Sequence, residues 1–366
     1  MKVVVTGARG FIGRNLVLRL AERGETVFEI GSDASGAELD AALRQADLVF
    51  HLAGVNRPPC DDAYETGNVG FTRSLCERLA ATGRRPPVIF SSSTQAALDN
   101  AYGRSKRAAE DLLLELAEDG WPVRIFRLPN VFGKWARPNY NSAVATFCHN
   151  IARGVDITVR DPAAPLNLIH VDDVCEAFLA QMDHPLAGGA FAEAAPVYPT
   201  TVGEVADLIR RFRSSRETMV TERVGTGLVR ALYSTYLSYL EPADFAYDVP
   251  RHGDPRGVFV EMLKTPDCGQ FSYFTAGPGV TRGQHYHHTK TEKFLVLSGR
   301  ARFGFRHILS GETFHLETEG GQGRIVETIP GWTHDITNVG DQEMVVMLWA
   351  NEMFDRARPD TIAMKV

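Results

Sequence analysis

Short apolar runs alternate with stretches of helical period over the first two-thirds of the chain. Val3–Thr6, Thr26–Ile30, Leu48–Ala53, Pro87–Ser91 and Pro122–Arg127 are brief and rich in β-branched and aromatic residues, which predicts strands. Between them Ile12, Leu16, Val17 and Leu20, and later Ala108–Leu116, repeat with the period of a helix that buries one face. Strands alternating with helices need crossover connections, which make the sheet parallel and cover both its faces. From Met1 to about Leu240 the expectation is therefore an α/β, Rossmann-like doubly wound parallel sheet.

The texture changes past Pro250. Gly257–Leu263, Gln270–Phe274, Lys293–Leu297, Ala301–Phe305, Gly323–Ile329 and Met344–Ala350 are short strand candidates separated by Gly, Pro and Asn turns, with no helical stretch between them. That pattern predicts a C-terminal all-β barrel or jelly roll. Two domains follow, residues 1–243 and 244–366. Leu232–Pro255, with Tyr233, Tyr236 and Tyr239, is too apolar for a free linker and is expected to pack on one of them.

Composition narrows the partners. A formal net charge of −6 argues against nucleic acid, which needs a basic footprint. No run of about 18 apolar residues occurs, so no membrane partner is expected. The five cysteines form no CxxC pair and read as thiols in a reducing compartment. The strand at residues 2–6 is not a signal peptide, and a cytoplasmic address is expected.

Candidate chemistry starts directly after the first strand. In Thr6-Gly7-Ala8-Arg9-Gly10-Phe11-Ile12-Gly13, Gly7 permits a tight turn, Gly10 lets backbone approach a pyrophosphate and Gly13 allows close helix–strand packing. Tyr102 and Lys106 lie four apart, on one helical face, where an ammonium would stabilise a phenolate and lower the tyrosine pKa. Upstream, a strand ends in Ser91-Ser92-Ser93-Thr94, hydroxyls at the carboxyl edge of a parallel sheet. The second strand ends Gly31-Ser32-Asp33. Gly31 and Ser32 leave room for a 2′-phosphate within reach of Arg9 or Arg14, whereas Asp33 would favour a free ribose, so NADPH and NADH both stay open.

Together with Arg127-Leu-Pro-Asn130-Val-Phe-Gly133 and His170-Val-Asp172-Asp173, these motifs resemble the extended short-chain dehydrogenase/reductase family over residues 1–240. The resemblance implies Tyr102 as acid/base, Lys106 as its electrostatic partner and ribose anchor, and Ser93 as the helper hydroxyl, with Ser92 or Thr94 as alternatives. It implies cofactor contacts at Thr6, Gly7, Arg9, Gly10, Phe11, Ile12, Gly13, Ser32, Ala53, Lys106 and Pro129, and substrate contacts at Asn130. His170 and Asp172 could equally be structural.

A second site is expected in the C-terminal part. Alternation puts His285 and His287 on one strand face, Glu292 returns shortly after, and His334 follows Pro330-Gly331. Three imidazoles and a carboxylate suit Zn²⁺, or alternatively Fe²⁺, Mn²⁺ or Ni²⁺. The spacing resembles the two cupin motifs. The order of the two halves, with Asn139-Tyr-Asn141-Ser142 and the late Asn351-Glu-Met-Phe-Asp355, resembles the bifunctional CapF/WbjC-type enzymes of capsule and O-antigen synthesis. That resemblance implies a UDP-linked amino sugar substrate, contacts at Asn139 and Asn141, C3 epimerisation in the cupin, C4 reduction with NADPH in the reductase, and a homodimer. His288 and Lys290 are candidate bases. A cupin serving only as a metal-stabilised dimerisation module is the alternative.

Overall fold

The computed structural model describes residues 1–366 apart from 58, 59, 61, 184–189, 246, 288, 289, 309, 329–331 and 358. The chain divides into two compact units, residues 1–209 with 231–240, and residues 210–230 with 241–366.

The first unit runs β1 (Lys2–Thr6), α1 (Phe11–Glu22), β2 (Thr26–Ile30), α2 (Gly36–Leu43), β3 (Leu48–His51), α3 (Asp62–Tyr64), α4 (Phe71–Ala81), β4 (Val88–Ser93), α5 (Ala101–Glu118) and β5 (Val123–Leu128). It continues through β6 (Asn130–Phe132), α6 (Ala143–Ala152), β7 (Pro165–His170), α7 (Val171–Asp183), β8 (Phe191–Ala192) and β9 (Tyr198–Thr201). Strands pair in the order β2-β1-β3-β4-β5-β8, every pair parallel. A small second sheet is ordered β6-β7-β9.

Alternation along the strands divides the core in two. Val4, Val49, Val88, Phe90 and Ile125 pack with Leu39 and Leu43 of α2, Leu75 and Leu79 of α4, and Leu113 of α5. Their neighbours Val3, Val5, Phe50, Ile89 and Phe126 pack on the other face with Leu16 and Leu20 of α1 and Phe178 of α7. Both faces are covered, so these strands read as unbroken apolar runs, and the five expected from the sequence are all present.

Helix α8 (Val202–Thr218) is followed by α9 (Gly227–Leu237). Leu232 and Tyr236 of α9 are buried, and the chain joins the second unit from Glu241 onward, so the Leu232–Pro255 stretch is not a free linker. The second unit then runs β10 (Arg251–Asp254), β11 (Gly257–Thr265), β12 (Gly269–Ala276), β13 (Thr281–Tyr286), β14 (Glu292–Ser298) and β15 (Arg300–His307). Next come β16 (Thr313–Glu319), β17 (Ile325–Glu327), β18 (Trp332–Asn338), β19 (Met344–Ala350) and β20 (Ile362–Ala363). They form two antiparallel sheets, β10-β11-β12-β19-β14-β17 and β16-β15-β18-β13-β20. Phe274, Phe294 and Val346 from the first share one core with Phe303, Phe305 and Ile336 from the second.

One polar group sits inside the first core. His51 is buried, with Nδ1 2.9 Å from Thr6 Oγ1 and Nε2 2.9 Å from Thr72 Oγ1. Thr72 donates to the Asn68 carbonyl, so its oxygen accepts from Nε2–H, and Nδ1 accepts from Thr6. The ring is therefore held neutral, and burial, assisted by Lys106, pushes its pKa down to about 3 from 6.5. Folding depresses this pKa, so between those limits the unfolded chain binds a proton that the folded chain refuses. Stability is full above the unfolded value and falls as pH drops through the window, by at most about 1.4 kcal/mol per pH unit. His51→Gln is expected to be less stable at neutral pH, yet to lose less of its thermal midpoint between about pH 7 and about pH 5 than the parent chain does. Parallel melting curves across that range would assign the acid sensitivity to other groups.

Candidate functional site

The turn after β1 is closed by its own backbone. Gly7 N–H donates to the Ile30 carbonyl at 2.8 Å, and Gly10 N–H to the Gly7 carbonyl at 2.9 Å. Gly7 has φ +69°, and a Cβ there would lie 2.7 Å from the Ala53 nitrogen. A Cβ on Gly13 would come within 2.2 Å of the Gly7 carbonyl oxygen. Gly10 caps α1 without a side-chain hydrogen bond, so the first amides of the helix keep their hydrogen-bonding capacity. Strand order reverses between β1 and β3, and this turn stands at the carboxyl ends of both, where doubly wound sheets bind ligands. A backbone cradle that any side chain would fill fits a dinucleotide pyrophosphate.

Beside the turn lies a cavity of about 520 Å³. Its wall includes Gly7, Arg9, Gly10, Phe11, Ile12, Gly13, Ser92, Ser93, Tyr102, Lys106, Pro129, Asn130 and Asn141. Thr6, Ser32, Ala53 and Asn139 are not on it. Thr6 is occupied by His51 and accepts from Ala53 N–H at 3.3 Å, while Asn139 N–H donates to Thr146 at 3.0 Å. His170 and Asp172 also lie off the wall, and Asp172 pairs with Lys134 at 2.6 Å. Tyr140, from the Asn139–Ser142 motif, and Arg137, which no motif covered, do line it, the guanidinium 5.2 Å from the ring centroid.

Helix α5 reaches the cavity because its start is pinned. Asn100 accepts from Gly103 N–H at 2.8 Å, and a Cβ on Gly103 would lie 2.2 Å from the Gln95 carbonyl oxygen. The helix thus closes directly onto the turn that follows β4, bringing Tyr102 beside Ser93, whose hydroxyl acts to lower the phenol pKa. Lys106, 5% exposed, donates to the Ser91 carbonyl at 2.8 Å and lies 4.3 Å from the Phe90 ring centroid. Burial lowers its pKa to about 8, with Glu110 acting the other way. The Tyr102 pKa is raised by burial, against the Ser93 hydrogen bond, and not lowered as the pairing with Lys106 suggests. The ammonium is already engaged by Ser91. Ser92 is engaged too, donating to the Glu110 carboxylate, which Arg127 holds through Nε at 3.0 Å and Nη2 at 2.5 Å. At the cofactor end Arg9 Nη1 meets both Asp33 oxygens at 2.8 Å.

In the second unit His285, His287, Glu292 and His334 converge, each offering a ligand atom within 4.8 Å of the others. His285 and His334 are cross-strand partners on β13 and β18, their rings 4.7 Å apart. His287 lies just past the end of β13, its Nδ1 2.5 Å from the Asp360 carbonyl and its Nε2 3.2 Å from Glu292 Oε2. Glu292 opens β14, fixed by its N–H donating to Thr328 at 2.9 Å, and Lys290 Nζ lies 2.9 Å from its Oε1. Burial opposes ionisation of Glu292, but His287, His334 and Lys290 outweigh it and hold the carboxyl well below the usual range. Burial also pushes His285 down to about 4. Both ring nitrogens of His334 are buried without a hydrogen bond. Orphaned imidazole nitrogens beside an ionised carboxylate are the donor set of a divalent cation. Asp360 was not foreseen, since a backbone carbonyl leaves no mark in the sequence. His288 lies outside the described residues.

Fold and cavity together define a dinucleotide-binding unit of the Rossmann type. The chain belongs to the NAD dependent epimerase/dehydratase family, whose model matches residues 3–192. That family implies a nicotinamide cofactor. Residues 252–362 match the polysaccharide biosynthesis C-terminal domain. Over 100% of its length the chain is 57% identical to UDP-2-acetamido-2,6-beta-L-arabino-hexul-4-ose reductase of Pseudomonas aeruginosa, covering 99% of that protein. It is similar over 100% of both chains to the capsular polysaccharide assembling protein CapF from Staphylococcus aureus, with TM-score 0.92 and 42% identity. The structure of CapF with the inhibitor 3-isopropenyl-tropolone matches with TM-score 0.88, 38% identity and 100% coverage of both chains. The CapF-type resemblance is borne out. Among the described residues no helix is long and apolar enough to cross a membrane.

Gly13→Ala puts a methyl group against the Gly7 carbonyl and forces α1 away from the turn. Nicotinamide binding, followed by fluorescence titration, is expected to weaken by about tenfold or more, roughly 1.4 kcal/mol or greater, while the C-terminal unit melts unchanged. Unaltered affinity would show that the close approach is not needed for the cofactor.

Proposed function

We propose that the chain performs two successive reactions on one nucleotide-linked sugar, with the labour divided near residues 243 and 244. The C-terminal unit, read as a cupin, epimerises C3 of a UDP-4-keto-2-acetamido-2,6-dideoxyhexose. The N-terminal unit, read as an extended short-chain reductase, then reduces the C4 ketone to UDP-2-acetamido-2,6-dideoxy-L-talose, a precursor for capsule or O-antigen, and the protein acts as a homodimer. The observation that carries this reading is 57% identity over the full length to a named UDP-sugar reductase, in a chain whose two units each hold a separate polar cluster.

In the reductase NADPH supplies the hydride. Tyr102 donates its proton to the oxygen at C4, Ser93 donates a second hydrogen bond to that oxygen, and Lys106 steadies the resulting phenolate and anchors the ribose. Ser93 is preferred over Ser92, whose hydroxyl is engaged by Glu110. The glycine turn with Arg9, Phe11, Ile12 and Pro129 holds the dinucleotide, and Asn130 and Asn141 face the sugar nucleotide. Arg9 and Asp33 are both exposed, so a 2′-phosphate can draw Arg9 away at little cost, which supports NADPH over NADH.

In the cupin His285, His287, Glu292 and His334 hold one divalent ion, Zn²⁺ first. When bound, such an ion polarises the ketone oxygen and spreads negative charge that develops there. The ketone acidifies the C3 proton. Its removal leaves the electron pair delocalised onto the C4 oxygen as an enediolate, and return of a proton to the opposite face inverts C3. Lys290 is the candidate base among the described residues.

The decisive experiment is incubation with the 4-keto sugar nucleotide in D₂O, with and without NADPH, followed by NMR. Deuterium is expected at C3 without nicotinamide. Tyr102→Phe should keep that exchange and lose reduction by about 10²-fold or more. Chelation should remove the metal, by elemental analysis, and abolish exchange while NADPH still binds. Normal NADPH oxidation by Tyr102→Phe, or exchange that survives metal loss, would overturn the assignment.

A further inference from the structure

Next to the four-residue cluster the second unit holds a cavity of about 420 Å³, with Asp254, Glu261, Arg282, Lys290 and Glu292 in its wall. Three of its carboxylates are already matched: Asp254 with Arg256 at 2.5 Å, Glu261 with Lys264 at 3.0 Å and Glu292 with Lys290 at 2.9 Å. Arg282 is different. Its Nε donates to the Thr275 carbonyl at 3.2 Å, and its guanidinium lies 5.1 Å from the Phe274 ring centroid. Its Nη2 is buried with no hydrogen-bond partner, and among the described residues it forms no ion pair.

A buried guanidinium nitrogen without an acceptor costs free energy that native structures rarely leave uncompensated. The strand geometry shows what the expense accompanies. Arg282 and His285 are three apart, and in a regular strand they would face opposite ways. A bulge intervenes between Gly283 and His285, with Gln284 at φ +63°. On the partner strand Arg282 is opposite Ile336 and His285 is opposite His334, two residues apart and hence on one face. Arg282 is therefore carried to the same side of the sheet as the imidazole cluster.

We propose that Arg282 is the anion-binding residue of this cavity, donating to an anionic oxygen of the bound sugar nucleotide, either the enolate oxygen at C4 or a diphosphate oxygen. The planar guanidinium presents its donors to such oxygens in a fixed fork. The inference rests on the reading of this unit as the epimerase centre.

The test compares Arg282→Gln and Arg282→Lys in the full-length protein. Each is assayed for metal content, C3 deuterium exchange, inhibition of exchange by UDP, and NADPH-dependent reduction of sugar already epimerised at C3. Reduction should be unchanged, since it is assigned to the other unit. If Arg282 meets the enolate, Arg282→Gln lowers kcat for exchange about 10²–10³-fold at steady KM. If it meets the diphosphate, KM and the inhibition constant for UDP rise about tenfold or more at steady kcat. Arg282→Lys should recover part of either loss. It also carries the test if the glutamine variant loses its metal or its fold. Values for kcat, KM and UDP inhibition all within about twofold of the parent in a metal-loaded variant would overturn the proposal. If the parent chain itself does not exchange C3, the epimerase reading fails separately, and calorimetric titration with UDP then decides on Arg282. Loss of one UDP site in Arg282→Gln sustains the anion site, and an unchanged isotherm ends it.

Discussion

The buried carboxylate of Glu110 is the interaction on which the cavity of the first unit depends. At 1% exposure it is a charge inside the fold, tolerable only because Ser92 and Arg127 surround it. Those partners lie on β4 and β5, and Glu110 itself lies on α5. The three-way bond therefore locks the helix carrying Tyr102 and Lys106 to the strand ends that meet the ligand. It also explains the division of labour between adjacent serines. Alternation turns Ser92 toward the helix and leaves Ser93 beside the phenol.

A second buried carboxylate organises the other unit in a different way. Glu292 is bonded or paired to His287, His334 and Lys290, so it gathers side chains from separate strands of the two sheets. Where Glu110 is fully matched by fixed partners, the cluster around Glu292 leaves imidazole nitrogens unspent. The contrast separates a strut from a site. Burial alone does not mark function; incomplete satisfaction of what is buried does.

Much of this was legible in the residues. Parallel strands buried on both faces write themselves as apolar runs, and glycines forced by close backbone approach stand out in any strand–turn–helix context. In the C-terminal unit β10, β16, β18 and β20 escaped notice. Sequences such as Thr313–Glu319 and Trp332–Asn338 alternate too weakly, because their outer faces carry Thr, Asp and Glu between few apolar residues. Glu110 was invisible for a related reason. Four positions after Lys106 on a helix, an acid looks like half of an exposed ion pair, and only the fold shows that it points inward. The direction of the Tyr102 pKa was also out of reach, since it depends on how deeply the fold buries the phenol.

The bulge at Gln284 makes the imidazole cluster a matter of counting as much as of chemistry. Point substitutions along β13 exchange one side chain and leave the rest facing as before. Loss or gain of a single residue between Gly283 and His285 inverts the relation between everything on its two sides. A change of side chain on β13 therefore keeps the register, while a change of length at this position does not. Copying the ligand spacing alone onto another double-sheet scaffold would transplant the histidines without the half-step that brings Arg282 to their side.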